Sequence, residues 1–562
     1  MFSGFQDYLE ASDGASLKDA LGRCSGWTVA ALDYELGTAF EAAAAIPGQT
    51  NDPRRPPARF WRFADRSPLT AEAVAHWLST QLAGLDAETA SAGIGGLDAG
   101  LDEAAYAKAV ERIRAWIAAG DCYQVNFTFP LHFRCFGTAL ALYARLRREQ
   151  PVRYGGILVH ADGAVVSLSP ELFLERRGEG LTTRPMKGTA PKGGDASDLQ
   201  RSAKNRAENL MIVDLLRNDL GRVALTGSVQ VESLFAIEEY PSLRQMVSQI
   251  SARVPETCTT ADILAALFPC GSITGAPKIR AMQIIGELEG GARGLYTGAF
   301  GWLAPNGDFR LNVAIRTLEL DADGRGRMGI GSGIVADSVA ADEWRECWLK
   351  AAFLGNFDPG FRLIETLRCE DGVYPRLTGH LARLSASAAW LGFVCDLDEV
   401  RAVLARQAAP GLWRVRLTLN KLGRIETTSA LLPPLPPGAL SARLSAQSID
   451  SRHPLRGHKT TVRTLYDRAL AELAGQPEIF DTVFLNERGE VAEGARSNVF
   501  VDRRGVLLTP PLASGALPGV LRAELLADGR AREAVLKPAD LAGGFWLGNA
   551  LRGMVRIRAW RD

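Results

Sequence analysis

The sequence predicts a two-domain chain of mixed α+β and α/β class, and three observations carry that reading. β-type runs alternate with amphipathic helical stretches over most of its length. A break of the kind found between domains, Gly355-Asn-Phe-Asp-Pro-Gly360, divides it. Its 562 residues are 47% apolar and 23% charged, a globular balance that excludes a disordered chain. One domain is expected over 1–355, with 1–100 as its N-terminal part and 101–355 as its main region. A second is expected over 361–562.

Taken in order, residues 1–83 mix short apolar runs with a Pro/Arg-rich loop, Pro53 to Arg59, and residues 84–103 read as a Gly/Ala-rich connector. Tyr106, Val110, Ile113 and Ile117 recur at helical spacing before Gly120, which predicts a helix with a glycine stop. Arg201 to Leu216 and Ala341 to Phe353 carry the same period. Phe309 to Leu320 alternates apolar and polar residues, as a strand with one face inward does. In the second half, Phe361 to Arg368 reads as a strand, and Asp371-Gly372 predicts a hairpin turn into Val373-Tyr374. Leu431 to Gly438, with four prolines, is a stiff connector.

Lys+Arg and Asp+Glu both number 64, so no basic excess points to nucleic acid. There is no leader-type segment and no apolar run long enough to span a membrane, so a cytoplasmic protein is expected. The eight cysteines are scattered, with no Cys-x-x-Cys and no Cys/His cluster, which predicts free thiols and no structural zinc. Only ten of the 64 basic residues are lysines. A lysine inside a motif therefore stands out, because its amine can be a nucleophile or Schiff-base former and a guanidinium cannot.

The first candidate site rests on two helices and a corner. Glu208, four residues after Lys204, lies on one helix. Glu343, Glu346 and Lys350 fall on one face of the other. They read either as solvated salt-bridge faces or as carboxylates that hold a Mg²⁺ against an anionic substrate. Gly271 to Lys278 looks like a capped helix start, with Ser272 and Thr274 ahead of a proline. Gly331 and Gly333 offer unhindered backbone N–H groups, and Arg316 on the strand could meet a carboxylate. Arg184-Pro-Met-Lys-Gly-Thr189 places Lys187 at a strand-to-loop corner.

Six segments stand in one order: Gly120–Asn126, Ser169–Glu171, Pro185–Thr189, Ala207–Asp219, Gly271–Lys278 and Gly331–Ser338. This set resembles the chorismate-utilising enzymes over residues 100–355, which implies a large β-sandwich-with-helices fold. The Pro-x-Lys-Gly-Thr motif resembles the aminodeoxychorismate synthase branch; anthranilate synthases carry alanine at the lysine position and a functional histidine where this chain has Gln245. The resemblance implies that Lys187 attacks the chorismate ring at C2 and expels the 4-hydroxyl, after which ammonia enters at C4. It implies Glu208 and Glu346 as Mg²⁺ ligands with Glu343 beside them. Arg316, Tyr296, Ser272, Thr274, Lys350, Gly331 and Gly333 would serve the substrate. The short region before Gly120 counts against the accessory tryptophan-binding pocket of some members.

In the second half, Lys459 sits in Gly457-His-Lys-Thr-Thr, and Gly515 to Arg522 looks like a glycine turn opening a helix whose free N–H groups suit a phosphate. Each alone also reads as an exposed lysine or an ordinary turn. Together with Phe361–Arg368, His380–Leu384, Val491–Phe500 and Gly548–Gly553 they resemble the class IV, D-amino-acid aminotransferase-like pyridoxal 5′-phosphate (PLP) enzymes over 361–556. That resemblance implies Lys459 as the cofactor-bearing lysine and proton-transfer base, and Glu493 as the partner of the pyridine nitrogen. Arg383 and the backbone at Val520 and Leu521 would take the phosphate, with Asn549 nearby. A homodimer through this domain fits the same resemblance.

The two resemblances together imply consecutive steps: chorismate and ammonia to 4-amino-4-deoxychorismate, then loss of pyruvate to give 4-aminobenzoate, a folate precursor. No amidotransferase motif is found, so ammonia is expected from a separate glutamine amidotransferase subunit or from solution. Two alternatives stay open for the second unit: a transaminase on another amino acid, or a cofactor-free scaffold.

Overall fold

The helical spacing after residue 103 is realised as Glu103–Ala118, capped by the Asp102 carboxylate on the Ala105 N–H and burying Tyr106, Val110 and Ile113. Gly120 follows at φ +84°, where a side chain would be strained. The other expected helices run Ala203–Gly221 and Ala340–Asn356. These come from a computed structural model, which describes residues 1–44, 55–191, 200–239 and 243–561. Pro53 and Arg54 of the expected loop lie outside those residues, as does the side chain of Lys204. Among the described residues no helix is long and apolar enough to cross a membrane.

The chain divides into two compact units. One comprises 1–83, 97–133 and 142–354; the other comprises 84–96, 134–141 and 355–562. The first is built on two sheets. Its ten-stranded sheet runs Phe2–Ala11, Ala58–Arg66, Trp27–Leu32, Ala299–Leu303, Phe309–Val313, Leu172–Arg177, Gly180–Arg184, Leu243–Arg253 and Met186–Pro191, with Gln230–Glu239 alongside Leu243–Arg253. The second sheet runs Gly275–Ala276, Gln124–Phe136, Arg325–Ile334, Thr317–Asp321, Gly163–Ser167 and Gly156–His160, with Gly93–Ala99 on Gln124–Phe136. Val29, Trp61 and Phe300 from the first sheet meet Leu158 and Val165 from the second in one buried cluster. That is the packing of a sandwich.

Four expectations change in detail. Arg59, expected in a loop, lies near the start of Ala58–Arg66 and is buried. The single strand expected over Phe309–Leu320 is two, Phe309–Val313 and Thr317–Asp321, and they belong to different sheets. Arg316 stands at the corner between them with φ 49°, so alternation of side chains continued through a bend that periodicity does not register. The connector expected at 84–103 contains the short helix Ala87–Ala90 and the strand Gly93–Ala99. Ser272 and Thr274 cap no helix: Gly271–Ile273 is a 3₁₀ turn, and the helix Lys278–Leu288 starts only after Pro277.

The second unit has a three-stranded sheet of Leu363–Glu370, Leu412–Leu419 and Ile425–Leu431. Its eight-stranded sheet runs Val491–Gly494, Ile479–Leu485, Leu440–Leu444, Gly553–Arg561, Phe545–Asn549, Asn498–Arg503, Val506–Thr509 and Ala531–Glu533. Asp371-Gly372 turns as expected, with Glu370 and Val373 exchanging backbone hydrogen bonds. No return strand follows; the chain enters the helix Leu377–Leu391 instead.

Candidate active sites

In the first unit, Lys187 is delivered by an irregularity. The strand Met186–Pro191 pairs Met186 with Val247 and Thr189 with Gln245, so two residues, Lys187 and Gly188, oppose one. Such a bulge re-aims a side chain. The Lys187 residue keeps some exposure, but its ammonium is enclosed by protein, and burial lowers its pKa from the usual lysine value. Glu208, Glu171 and Glu346 oppose that shift and Lys350 adds to it. Gly333, on Arg325–Ile334, leaves room for the amine: a Cβ there would lie 3.1 Å from Lys187 Nζ and 2.9 Å from Gln124 Nε2. The Gln124 side chain is 1% exposed, and neither amide atom has a hydrogen-bond partner among the described residues. Glu171 is buried, accepts a hydrogen bond from Ser272 Oγ at 2.8 Å, and is pushed up to about 7 by desolvation.

Ser272, Gly333 and Lys350 thus gather around Lys187, and Lys350 donates to the Gly331 carbonyl at 2.9 Å. Other expected residues are engaged elsewhere. Thr274 Oγ1 donates to the Cys270 carbonyl and closes a turn. Gly331 lies against Phe127 and Thr128, so its missing side chain permits close strand packing. Tyr296 places its ring over Gly329.

Glu208, Glu343 and Glu346 supply the hard oxygen donors a Mg²⁺ takes. Among the described residues, however, no three acidic, histidine or cysteine side chains gather as a metal site. Glu343 accepts from Ser338 Oγ at 2.8 Å, and Glu346 pairs with Lys350 at 2.8 Å. Glu208 and Glu346 nevertheless both act on the Lys187 ammonium. Since a Mg²⁺ takes one or two carboxylates together with substrate and water, these two would hold it against an anionic substrate, and no step below runs through a metal.

The second unit holds a cavity of about 360 Å³ lined by Lys459, Glu493, Arg383, Tyr466 and Asn549, among others. The Lys459 carbonyl accepts from Ile364 N–H at 2.9 Å, anchoring the segment that carries it. Burial, with Arg383 and Arg463 nearby, lowers the Lys459 amine to about 7. Glu493 accepts hydrogen bonds from Tyr466 OH at 2.7 Å and from the Leu517 N–H at 2.8 Å. Desolvation still raises its pKa. Arg383 donates through Nε and Nη2 to Glu365, which also pairs with His380 Nδ1 at 2.6 Å. Those contacts hold Glu365 at about 2, after burial alone would have raised it. Val520 and Leu521 open the helix Val520–Ala527, where backbone N–H groups lack intrahelical acceptors. Asn549 caps a turn, accepting from Leu551 and Arg552 N–H.

A lysine poised near neutrality, a buried carboxylate, a guanidinium and a helix start around one cavity fit PLP. Arg414 and Arg416 line the cavity, and Arg414 sits opposite Arg368, which is paired with Glu370 at 2.9 Å, across antiparallel strands.

Sequence reasoning passed over Glu171, although the Ser-Pro-Glu motif contains it. Gln124 lay inside Gly120–Asn126, and Glu365 inside the opening strand of the second unit. Tyr466 had only its place on the helix after Lys459 to mark it.

The comparisons with known proteins follow the same division. The chorismate binding enzyme family matches residues 5–356, and amino-transferase class IV matches 362–560. Aminodeoxychorismate synthase component 1 of Salmonella typhimurium is 42% identical over 252 residues, 44% of this chain and 55% of that protein. Anthranilate synthase component 1 of Thermus thermophilus is 40% identical over 300 residues, 51% of this chain and 64% of that protein. The chain therefore spans little more than half the length of these relatives. The anthranilate synthase component I structure from Streptococcus pneumoniae is 29% identical, with a TM-score of 0.50 over 58% of this chain and 80% of that one. With a fold, a motif order and a family match that agree over 5–356, the chain belongs to the chorismate binding enzyme family and carries a class IV amino-transferase domain behind it.

Proposed function

We propose that the first unit converts chorismate and ammonia to 4-amino-4-deoxychorismate, and that the second removes pyruvate from that product to give 4-aminobenzoate. The carrying observation is the enclosed Lys187 amine beside Glu171. A lysine must be neutral to attack, and enclosure favours its neutral form. Its nitrogen bonds to ring C2 as both ring double bonds shift by one position and the C4–O bond breaks. Glu171, at about 7, can give the departing hydroxyl its proton, so that water leaves. Ammonia then bonds to C4, the C2–N bond breaks, and the lysine amine is returned. The proton ammonia sheds goes back to Glu171. Similarity to relatives divides between aminodeoxychorismate and anthranilate synthases, so it is the lysine at 187 that supports the first.

In the second unit, PLP when bound would supply an electron sink for the carbon that bears the substrate amine. Lys459 Nζ, near neutrality, takes the proton from ring C4. Glu493 would hold the pyridine nitrogen, and Arg383 with the Val520 and Leu521 N–H groups would hold the phosphate. Arg414 and Arg416 meet the carboxylates of a dianionic substrate. Ammonia comes from a glutamine amidotransferase partner or from solution. The test supplies the pure chain with chorismate, ammonium, Mg²⁺ and PLP and identifies the products by mass spectrometry. Anthranilate would overturn the first step. Accumulation of 4-amino-4-deoxychorismate without pyruvate would overturn the second.

A further inference from the structure

Residues 84–96 precede the class IV match by more than two hundred positions, yet they belong to the second compact unit. Their contacts converge on the turn that carries Lys459. Glu88, on the helix Ala87–Ala90 that Asp86 caps, lines the same cavity as Lys459. Its Oε1 accepts from Arg456 Nη2 at 2.5 Å. Arg456 Nη1 donates to Tyr466 OH at 3.1 Å, and Tyr466 OH donates to Glu493 at 2.7 Å. Further along, Gly95 and Gly96 lie so close to the Trp390 ring that neither could carry a side chain. Trp390 in turn stacks on His458, the neighbour of Lys459, with ring centroids 4.5 Å apart and planes at 26°.

The direction of the hydroxyl proton follows from this chain. Arg456 is a donor only, so it occupies a lone pair of the Tyr466 oxygen and the hydroxyl proton is committed to Glu493. Arg456 side-chain exposure is 12% and that of Tyr466 and Glu493 is below 10%. In such a setting an unpaired guanidinium is costly, and Glu88 is its carboxylate partner. Glu493 needs this help, because burial pushes it toward its neutral form while the Tyr466 hydrogen bond and the Arg456 charge favour the ionised one. Only the ionised carboxylate can keep a pyridine nitrogen protonated.

We propose that residues 84–96 complete the PLP site of the second unit, with Glu88 as a positioning residue that acts through Arg456 and Tyr466 on Glu493. The inference rests on the PLP reading of that unit. It has the consequence that the family-matched stretch 362–560 does not by itself contain every residue its cofactor site uses.

The test uses the full chain and PLP labelled with ¹⁵N at the ring nitrogen. In the parent, the ¹⁵N resonance should report a protonated ring nitrogen. In E88A it should move toward the unprotonated position, and the dissociation constant for PLP should rise at least about tenfold, 1.4 kcal/mol. E88D should recover most of both. Y466F, which keeps the ring and loses the hydroxyl, should shift the resonance similarly, and E88A/Y466F should add little to either single change. Chorismate consumption by the first unit reports that each variant is folded. If E88A folds poorly, E88Q and Y466F carry the comparison. An unchanged resonance and affinity in E88A, or fully additive effects in the double variant, overturn the proposal alone. A parent that takes up no PLP overturns the PLP reading and the proposal with it.

Discussion

Gly333 and Lys187 come from different sheets of the first unit and approach closely: a Cβ at 333 would stand 3.1 Å from Lys187 Nζ, tighter than ordinary van der Waals contact. The same Cβ would crowd Gln124 and Asn126. All three neighbours are ends of side chains, so a Gly333→Ala protein should fold by letting them give way. The amine is then displaced by a few tenths of an ångström, and misplacement of a reacting group lowers its rate, by about 100-fold at about 1 Å. G333A should lose at least tenfold in 4-amino-4-deoxychorismate formation with a melting temperature near that of the parent. Retained turnover would show that Lys187 is not held against residue 333.

Glu171 gives a pH dependence with a definite sign. Its folded pKa is about 7, above the unfolded value of 4.5. Between these values the folded state keeps a proton the unfolded state has lost, so this group's contribution to stability falls as pH rises from 4.5 to 7. As proton donor it should also make the first step decline above pH 7. Glu171→Gln should lower kcat by about 10²–10⁴-fold and remove both dependences. Rate profiles and melting curves from pH 5 to 9 check this; an alkaline limb that survives in E171Q assigns the proton to another group.

The two lysines should separate the two steps. Lys187→Ala should abolish chorismate consumption with ammonia while leaving the visible band of lysine-bound PLP intact. Lys459→Ala should lose that band and let 4-amino-4-deoxychorismate build up. Chromatography of the product mixtures, with absorption spectra of the purified variants, gives the answer. Normal 4-aminobenzoate release by K459A would remove that lysine from the mechanism.

Lys421 should act on stability alone. It is 7% exposed, donates to the Leu391 carbonyl at 2.8 Å at the end of Leu377–Leu391, and is lowered by burial to about 8 from 10.5. Between pH 8 and 10.5 the unfolded state holds a proton the folded state has released, so stability from this group rises with pH across that window. Lys421→Met should flatten the rise, worth about 1–3 kcal/mol, in denaturant titrations at pH 8 and 10. An equal slope in both proteins would refute the assignment.

Much of this was written in short segments. Lys187, Lys459, Glu493 and Arg383 are legible through the resemblance of the short motifs that contain them to the two families. The helices Glu103–Ala118 and Ala340–Asn356 were legible because an apolar stripe at helical period needs only neighbours along the chain. Arg316 was misread as a strand residue because alternation carries across the corner at which the chain changes sheets. Of the three glutamates, Ser338 holds Glu343 and Lys350 pairs with Glu346, while Glu208 and Glu346 both act on the Lys187 amine.

The sequence by itself determined the two-part organisation, the family resemblance and the two lysines, since these depend on residues close together in the chain. Only the tertiary structure decided that 84–96 belongs with the second unit, because Glu88 and Arg456 are 368 residues apart and their hydrogen bond leaves no periodic trace. It decided as well that burial raises Glu171 to about 7 and that Gly333 stands against the Lys187 amine. Burial and close approach are properties of the assembled fold, and a carboxylate or a glycine reads the same in the sequence whether or not they occur.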